Sequence, residues 1–514
     1  MGSVIYGVNT GFGGSANVRT DETKALQASL VRFLNAGIGR SISNDVVKSV
    51  MTVRANSLCK GLSGVRPSTV QLLVDMFNSD VIPEVPERGS VSASGDLVPT
   101  SYIASAMTGR RDSYVTVNKE RMTSDEGLRL SGLQPVVFEM KEALAIVNAS
   151  SFATALAAHV IFDANIAVVL TQIATALTCE CLHGHTQSFH PTIHENMPHD
   201  GQIETARNIL HLLHGSKMSQ SFEAHHETDA PLGFVSKSLT QDRYALRTAP
   251  QWLGPVLETT LESVRRVTTE LNSVNDNPII DHNTRNILHG GNFQGTSVTV
   301  AMDQLRQSLQ LCGKLLFGQM QEMVNSSMSD GLPPNLSGSN INIDFGFKGM
   351  DIAIAAYMSE LDYLTNPLTN HVLSAELHNQ AVNSLALVSA RYTRAALEVL
   401  QMMLANILIA HAQAIDLRFM QKQAERSLRK IFLHHDHIEP TLLLKLVPRY
   451  NFAFLPSETA LQAAQHLHLE GDQQLKLVSR IEAEMKTLIT SFERGNHVEV
   501  VHQQMGQGNR MIMS

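Results

Sequence analysis

From Val382 to Ile415 the chain carries neither glycine nor proline, and Leu385, Val388, Tyr392, Ala396, Val399, Met403 and Ile407 recur along it at steps of three and four. That is the helical period, so the segment predicts an amphipathic rod of roughly 50 Å at the rise of an α-helix. A rod with one apolar stripe must bury it against something. Met302, Leu305, Leu309, Cys312, Leu316, Met320 and Met323 supply a second stripe of the same period. Two such stripes, uncapped in their middles, predict a bundle. Alternating strand patterns are rare and short, so the expected fold class is all-α, built on an elongated central helical bundle. The loops rich in glycine, proline and asparagine, at 6–17, 83–96, 272–295 and 325–346, carry the polar motifs. Rigid helices presenting functional loops is a common way to build a site.

The material for a large core is there: 514 residues, 43% of them hydrophobic, with a formal net charge of -8. The mild acidity and the lack of a dense Lys/Arg run argue against an electrostatic nucleic-acid binder. Cys59, Cys179, Cys181 and Cys312 show no framework spacing, and a Cys-x-Cys pair is poorly placed for a disulfide, so they read as reduced thiols. The opening MGSVIYGVNT has no basic or apolar signal region, and the expected location is cytoplasmic. The apolar segment from Ile161 to Leu177 is interrupted by Asp163, Asn165 and Gln172, which predicts a buried helix rather than a membrane span.

Within the run GSVSASGDLVPTSYIA, the triplet Ala93-Ser94-Gly95 has a chemistry no single side chain offers. If the Gly95 nitrogen attacks the Ala93 carbonyl and two waters leave, the product is a methylidene-imidazolone, an electron sink. Glycine lets its nitrogen approach another carbonyl closely. Serine supplies a β-hydroxyl that can leave, and alanine avoids crowding. Alone, the triplet also suits a turn, or a cap in which Ser94 or Asp96 begins a helix near Leu97.

Its flanks, and the runs YGVNTGFGGSANVRT, RFLNAGI, QDRYALRTAPQWLGP, NSVNDNPIIDH, HGGNFQGT and NPLTNHVLSAELHNQAVNSL, resemble the aromatic amino acid ammonia-lyases and aminomutases, in the family's order and over most of the chain. QDRYALRTAPQWLGP and HGGNFQGT are most similar to the eukaryotic phenylalanine branch. The resemblance implies three parts. An N-terminal domain at 1–142 carries the tyrosine loop and the methylidene-imidazolone loop, a central bundle spans 143–424, and a shortened helical segment spans 425–514. It also implies a homotetramer with shared active sites, a ring formed autocatalytically, and no metal or nucleotide.

Residue by residue, the resemblance makes Tyr6 the base that removes the β-proton, a task for which a phenol of pKa ~10 must be depressed. Arg247 would hold the substrate carboxylate through a two-pronged guanidinium contact. Asn148, Gln241 and Tyr244 would line the ring and substrate, with Leu144 and Phe293 beside them. Amide donors there would stabilise charge developing on the ring oxygen. Glu376 and Gln380, four apart, are expected on one helical face toward the same pocket, with Glu376 taking a proton from the substrate amine. Lys348 in FGFKG is a further site position. Ala149 departs from the glycine that usually follows the asparagine. Phe33-Leu34 would meet the far end of the substrate ring, and two apolar side chains would leave a phenol or imidazole unpaired at ~1 to 3 kcal/mol, which favours phenylalanine.

Other motifs are weaker. GVNTGFGG lacks the Lys-Ser/Thr of a phosphate loop, and its glycines are better read as letting the Tyr6 loop fold over a site. His183, His185, His190, His194 and His199 near Cys179 and Cys181 bring zinc to mind, but their spacing fits no standard finger, and the same holds for His434, His435 and His437. The expected activity is elimination of ammonia from L-phenylalanine to give trans-cinnamate, in phenylalanine catabolism or phenylpropanoid metabolism. The alternatives are an aminomutase yielding β-phenylalanine, or a catalytically weak or inactive relative, the latter raised by the short stretch before Tyr6 and by the VPRYNFAF segment, which continues further in longer lyases.

Overall fold

The computed structural model describes residues 4–221, 239 and 241–433, together with 476, 479–481, 483, 487 and 505. In chain order its helices are α1 (Thr23–Leu34), α2 (Asn44–Leu58), α3 (Pro67–Asn78), α4 (Leu97–Met107), α5 (Ser124–Leu130), α6 (Glu142–Val147), α7 (Ser151–Cys181), α8 (Pro191–Glu195), α9 (Asp200–Leu212), α10 (Tyr244–Arg247), α11 (Ala249–Leu271), α12 (Thr296–Val324), α13 (Lys348–Leu364) and α14 (Ala386–Leu433). The strands are short and antiparallel. β1 (Ile38–Ser41) pairs with β3 (Pro86–Arg88), and β4 (Tyr114–Val117) lies between β2 (Ile82–Pro83) and β5 (Glu120–Thr123). β6 (Ile279–Asp281) pairs with β7 (Asn286–Leu288). The helical expectation holds, and both long stripes are helices. α12 contains the whole Met302 to Met323 pattern, while α14 begins at Ala386 rather than Val382 because Leu385 takes a left-handed φ of +53°.

The chain forms two compact units. The first comprises 1–165, 259–307 and 364–397, and the second 166–258, 308–363 and 398–514, so α7, α11, α12 and α14 each give residues to both.

In the first unit, α2 buries Val46, Val47, Val50 and Met51, while α6 is buried along its whole length. Charge is also buried there, and paired. Arg54 donates to the carbonyls of Asn275 and Ala145, and Lys141 reaches Asp276 at 2.7 Å, so the 275–276 stretch is pinned to α2 and to the start of α6. Arg306 of α12 meets Asp303 at 2.6 Å and donates to Thr393 at 2.9 Å and to the Asn366 carbonyl at 3.0 Å. Asp303 accepts from Ser389 at 2.6 Å and from the Thr369 amide at 3.1 Å. This polar knot fixes the 366–369 segment to α12 and α14.

In the second unit, α7 hides its threonines by turning their hydroxyls back on its own carbonyls: Thr171 on Ala167, Thr175 on Thr171, Thr178 on Ala174. The stretch Glu142–Cys181, which runs through α6 and α7, is long and apolar enough to cross a membrane, as is Ala386–Ala424 in α14, but 56% of each most apolar window is buried inside the protein. Arg418 donates to the carbonyls of Cys181, Ser329 and Asp330. Cys179, Cys181 and Cys312 are buried, and Cys59 at the end of α2 is exposed. Burial holds the Cys181 thiol well above its ordinary range and pushes that of Cys312 up to about 12.

Candidate active site

The Tyr6 loop is held by its glycines and by one buried glutamine. Gly7 has φ +72°, and a Cβ there would come within 2.3 Å of Leu144 Cδ2. Gln27 donates to the Gly7 carbonyl at 3.1 Å and accepts from the Leu144 amide at 3.3 Å, so one side chain on α1 ties the loop to α6. The Tyr6 hydroxyl then accepts from the Gly13 amide at 2.8 Å, and Glu376 Oε1 accepts from the adjacent Gly14 amide at 3.1 Å. At Gly13, which has φ +52°, a Cβ would lie 1.7 Å from Glu376 Oε1 and would displace that carboxylate. Phenol and carboxylate thus hang from consecutive amides. The edge of one of the Tyr6 and His289 rings faces the other, with centroids 6.4 Å apart.

Burial raises the pKa of Tyr6, the Gly13 amide lowers it, and the Glu376 charge raises it again, for a net rise. The depressed phenol expected of a base is therefore not what this arrangement produces. The reason is that a partly buried hydroxyl beside a carboxylate resists becoming a second anion. Glu376 and Gln380 also do not share a helix. Glu376, Leu377 and His378 have φ of +50°, +53° and +65° in a turn closed by the Asn379 side chain on Glu376 Oε2 at 2.9 Å. Gln380 donates toward the Ser94 hydroxyl at 3.4 Å.

Around the triplet, Ala93 is buried and Gly95 has φ +65°. The Gly95 amide donates to the Phe293 carbonyl at 2.9 Å, and the Asp96 amide to the Ala149 carbonyl at 2.7 Å. A Cβ on Gly95 would sit 2.3 to 2.6 Å from the backbone of Ala149, so only glycine fits. Asp96 stands just before α4 without capping it through its side chain. Instead its carboxylate accepts from Ser92 at 2.5 Å, Ser90 at 3.0 Å and the Ala153 amide at 2.8 Å. Burial nevertheless raises its pKa. Asn148, at the end of α6, donates to the Asn277 carbonyl at 3.3 Å, and its own Oδ1 is buried with no hydrogen-bond partner. Leu144 is buried on α6, and Leu34 is buried at the end of α1, while Phe33 is 57% exposed.

The first unit thus brings together Tyr6, Leu144, Ala93, Ser94, Gly95, Asn148, Phe293, Glu376 and Gln380. The second unit holds Gln241, Tyr244, Arg247 and Lys348. Arg247 on α10 donates through Nη1 to Gln241 and lies over the Tyr244 ring at 4.9 Å, and its Nε is buried with no hydrogen-bond partner. Lys348, which opens α13, has its ammonium 5.3 Å from the Phe345 ring centroid.

The histidines near Cys181 have separate partners. His183 Nδ1 lies 2.9 Å from Asp330, His185 Nδ1 lies 3.1 Å from Asp242, and His194 lies between Ser188 and Gln202. Among the described residues no group of three or more His, Cys, Asp or Glu side chains is placed to hold a metal ion. His434, His435, His437 and the VPRYNFAF segment lie outside the described residues.

Sequence reasoning missed Gln27. Its signal was present, since Gln27, Leu30, Val31 and Leu34 form the buried stripe of α1 and only one of the four is polar. A polar residue inside an apolar stripe has work for its amide.

A family model described as aromatic amino acid lyase matches residues 1–435. The chain is 43% identical over 454 residues to a phenylalanine ammonia-lyase of Aspergillus hancockii, covering 85% of this chain and 63% of that one. It is 45% identical over 440 residues to a phenylalanine aminomutase (L-beta-phenylalanine forming) of Taxus canadensis, covering 84% and 62%. The chain therefore spans a little over three fifths of the length of these curated relatives. Among solved structures, a phenylalanine ammonia-lyase from Rhodosporidium toruloides superposes with a TM-score of 0.82 at 33% identity, over 95% of this chain and 81% of that one.

Proposed function

The chain belongs to the aromatic amino acid lyase family, and from that premise we propose that it eliminates ammonia from L-phenylalanine, without oxidation, to give trans-cinnamate. The observation that carries the reading is the hanging of the Tyr6 hydroxyl and the Glu376 carboxylate from the adjacent amides of Gly13 and Gly14, in the unit that also holds Ala93-Ser94-Gly95. Elimination needs a base at the β-carbon and control of the proton on the amine, and this pair supplies both.

The triplet fits the prosthetic ring. Gly95 occupies a left-handed position where a Cβ would strike Ala149, and its nitrogen is held by the Phe293 carbonyl beside a buried Ala93. Formed from Ala93, Ser94 and Gly95, the ring supplies an electrophile that makes the amine a leaving group. The other roles fall to side chains. Tyr6, as phenolate, removes the β-proton. Glu376 takes a proton from the substrate ammonium, so that the nitrogen presents its lone pair. Arg247 has an unpaired Nε–H for the substrate carboxylate, with Gln241 and Tyr244 orienting the guanidinium. Leu144 and Leu34 are apolar candidates to face the aromatic ring. The reading includes a homotetramer with shared active sites, a cytoplasmic location, and a place in phenylalanine catabolism or phenylpropanoid supply.

A second reading is favoured by the 45% identity to the Taxus canadensis aminomutase: the same residues retain the ammonia and return it to the β-carbon. Incubation with L-phenylalanine, followed by chromatographic separation of cinnamate from β-phenylalanine, decides between the two. Ser94→Ala is run alongside. Cinnamate from the parent and none from Ser94→Ala is the expected result. β-Phenylalanine as the main product overturns the first reading, and product formed equally by Ser94→Ala overturns the role of the triplet.

A further inference from the structure

Directly before the triplet stands a non-glycine residue in the left-handed region. Ser92 has φ +48° and is 1% exposed, a conformation that persists only where the surroundings impose it. Those surroundings are the residues that lead into α14. The Ser92 carbonyl accepts from the Ser384 hydroxyl at 2.6 Å and from the Ser384 amide at 3.4 Å. The Ser92 hydroxyl accepts from the Leu387 amide at 3.0 Å while donating to Asp96. One residue earlier, the Leu385 amide donates to the Val91 carbonyl at 2.9 Å.

These bonds fix the amino side of the triplet. Its carboxyl side is fixed by the Gly95 bond to Phe293, the Asp96 bond to Ala149, and the contact of Gly95 with the Ala149 backbone. Ala93 is held between two anchored points, all within the first unit. Ser384 itself lies before the first residue of α14, and the strongest bond of its hydroxyl goes to a carbonyl 292 residues away.

We infer that Ser384 is a positioning residue for ring closure: its hydroxyl clamps the Ser92 carbonyl so that the left-handed turn at Ser92 presents the Ala93 carbonyl carbon to the Gly95 nitrogen. The inference rests on the reading that this triplet forms the ring. In closure, the Gly95 nitrogen bonds to the Ala93 carbonyl carbon. The Ala93 oxygen leaves as water with the amide hydrogens of Gly95 and Ser94, and a carbon–nitrogen double bond forms. The Ser94 hydroxyl then leaves with the Cα hydrogen as a second water, and the exocyclic Cα–Cβ double bond forms. The clamp acts on the first bond, where holding both ends replaces a search through loop conformations with a fixed approach.

The test is the intact mass of the full-length protein, a readout independent of substrate. Ser384→Ala removes the clamping hydroxyl. Ser389→Ala serves as control, because it removes a buried hydroxyl of α14 bonded to Asp303 without touching residues 91–96. Parent and Ser389→Ala are expected to weigh two waters less than their sequences. Ser384→Ala is expected to convert about tenfold more slowly, as the loss of one buried hydrogen bond implies. Early after expression, most of it then carries the full sequence mass, with kcat reduced in proportion to the unconverted share and KM unchanged. If Ser384→Ala does not fold, Ser384→Cys keeps the volume with a weak donor and shows the same shortfall. Conversion of the Ser384 variant as fast as Ser389→Ala overturns the inference, and so does a parent protein at full mass. A parent that lacks two waters yet forms no product from L-phenylalanine overturns the substrate reading and leaves the clamp standing.

Discussion

At the residue scale, the pairing of Tyr6 with Glu376 sets the pH response. Burial and the Glu376 charge hold the phenol neutral above its ordinary range, so the form that acts as base grows only as pH rises. The kcat/KM of the parent is expected to climb through the alkaline range. Glu376→Gln removes the negative charge that raises the Tyr6 pKa, so the rising limb of its residual activity is expected to move to lower pH; a limb that stays in place or moves up refutes the coupling. Gln27 is the second case. Gln27→Leu leaves the Gly7 carbonyl and the Leu144 amide without their partner, at a cost of about 1–3 kcal/mol each. Because the loop it releases carries Tyr6, kcat is expected to fall about ten- to a hundredfold, with faster hydrogen exchange over residues 5–16. Local spacing did not reveal the first of these arrangements. Glu376 and Gln380 are four apart, as on a helix, yet the backbone turns left-handed at Glu376 to bring its carboxylate to Gly14, 362 residues away. Likewise, the glycines of GVNTGFGG read as flexibility, whereas a side chain at Gly13, itself at φ +52°, would push the Glu376 carboxylate out of its place.

At the scale of elements, what the sequence made legible were the long helices. Apolar residues repeating over many turns leave one solution, and α12 and α14 formed where the stripes lie. The start of α14 was not legible, because Asn383 and Ser384 are drawn into bonds with Leu373 and Ser92 before the helix begins. Phe33 shows the opposite limit. An amphipathic pattern places Leu34 inside α1, but it does not say what the neighbouring exposed Phe33 faces. The knot between α12 and α14 was invisible for a related reason, since nothing local distinguishes Arg306, which is fully buried, from a solvated arginine. Removing one partner of a buried pair strands the other, so Arg306→Met is expected to destabilise the protein by about 3–5 kcal/mol. The midpoint of urea unfolding measures this, and a shift smaller than that of an exposed Arg265→Met control would refute it.

At the scale of the whole molecule, the proposed homotetramer predicts a particle four times the mass of one chain. Light scattering coupled to size-exclusion chromatography measures this, and a monomer peak refutes the proposal. The triplet, Tyr6 and Glu376 belong to one unit and Arg247 to the other, a division that no single motif in the sequence announced. The distribution of thiols has a practical consequence. Thiol reagents need an accessible thiolate. Cys179, Cys181 and Cys312 are buried with their pKa values raised, whereas Cys59 is open to solvent at the end of α2. A maleimide dye is expected to add once per folded chain, at Cys59, as read by peptide mapping. The protein thus carries a built-in attachment point for a fluorophore or a solid support, and no engineered cysteine is required.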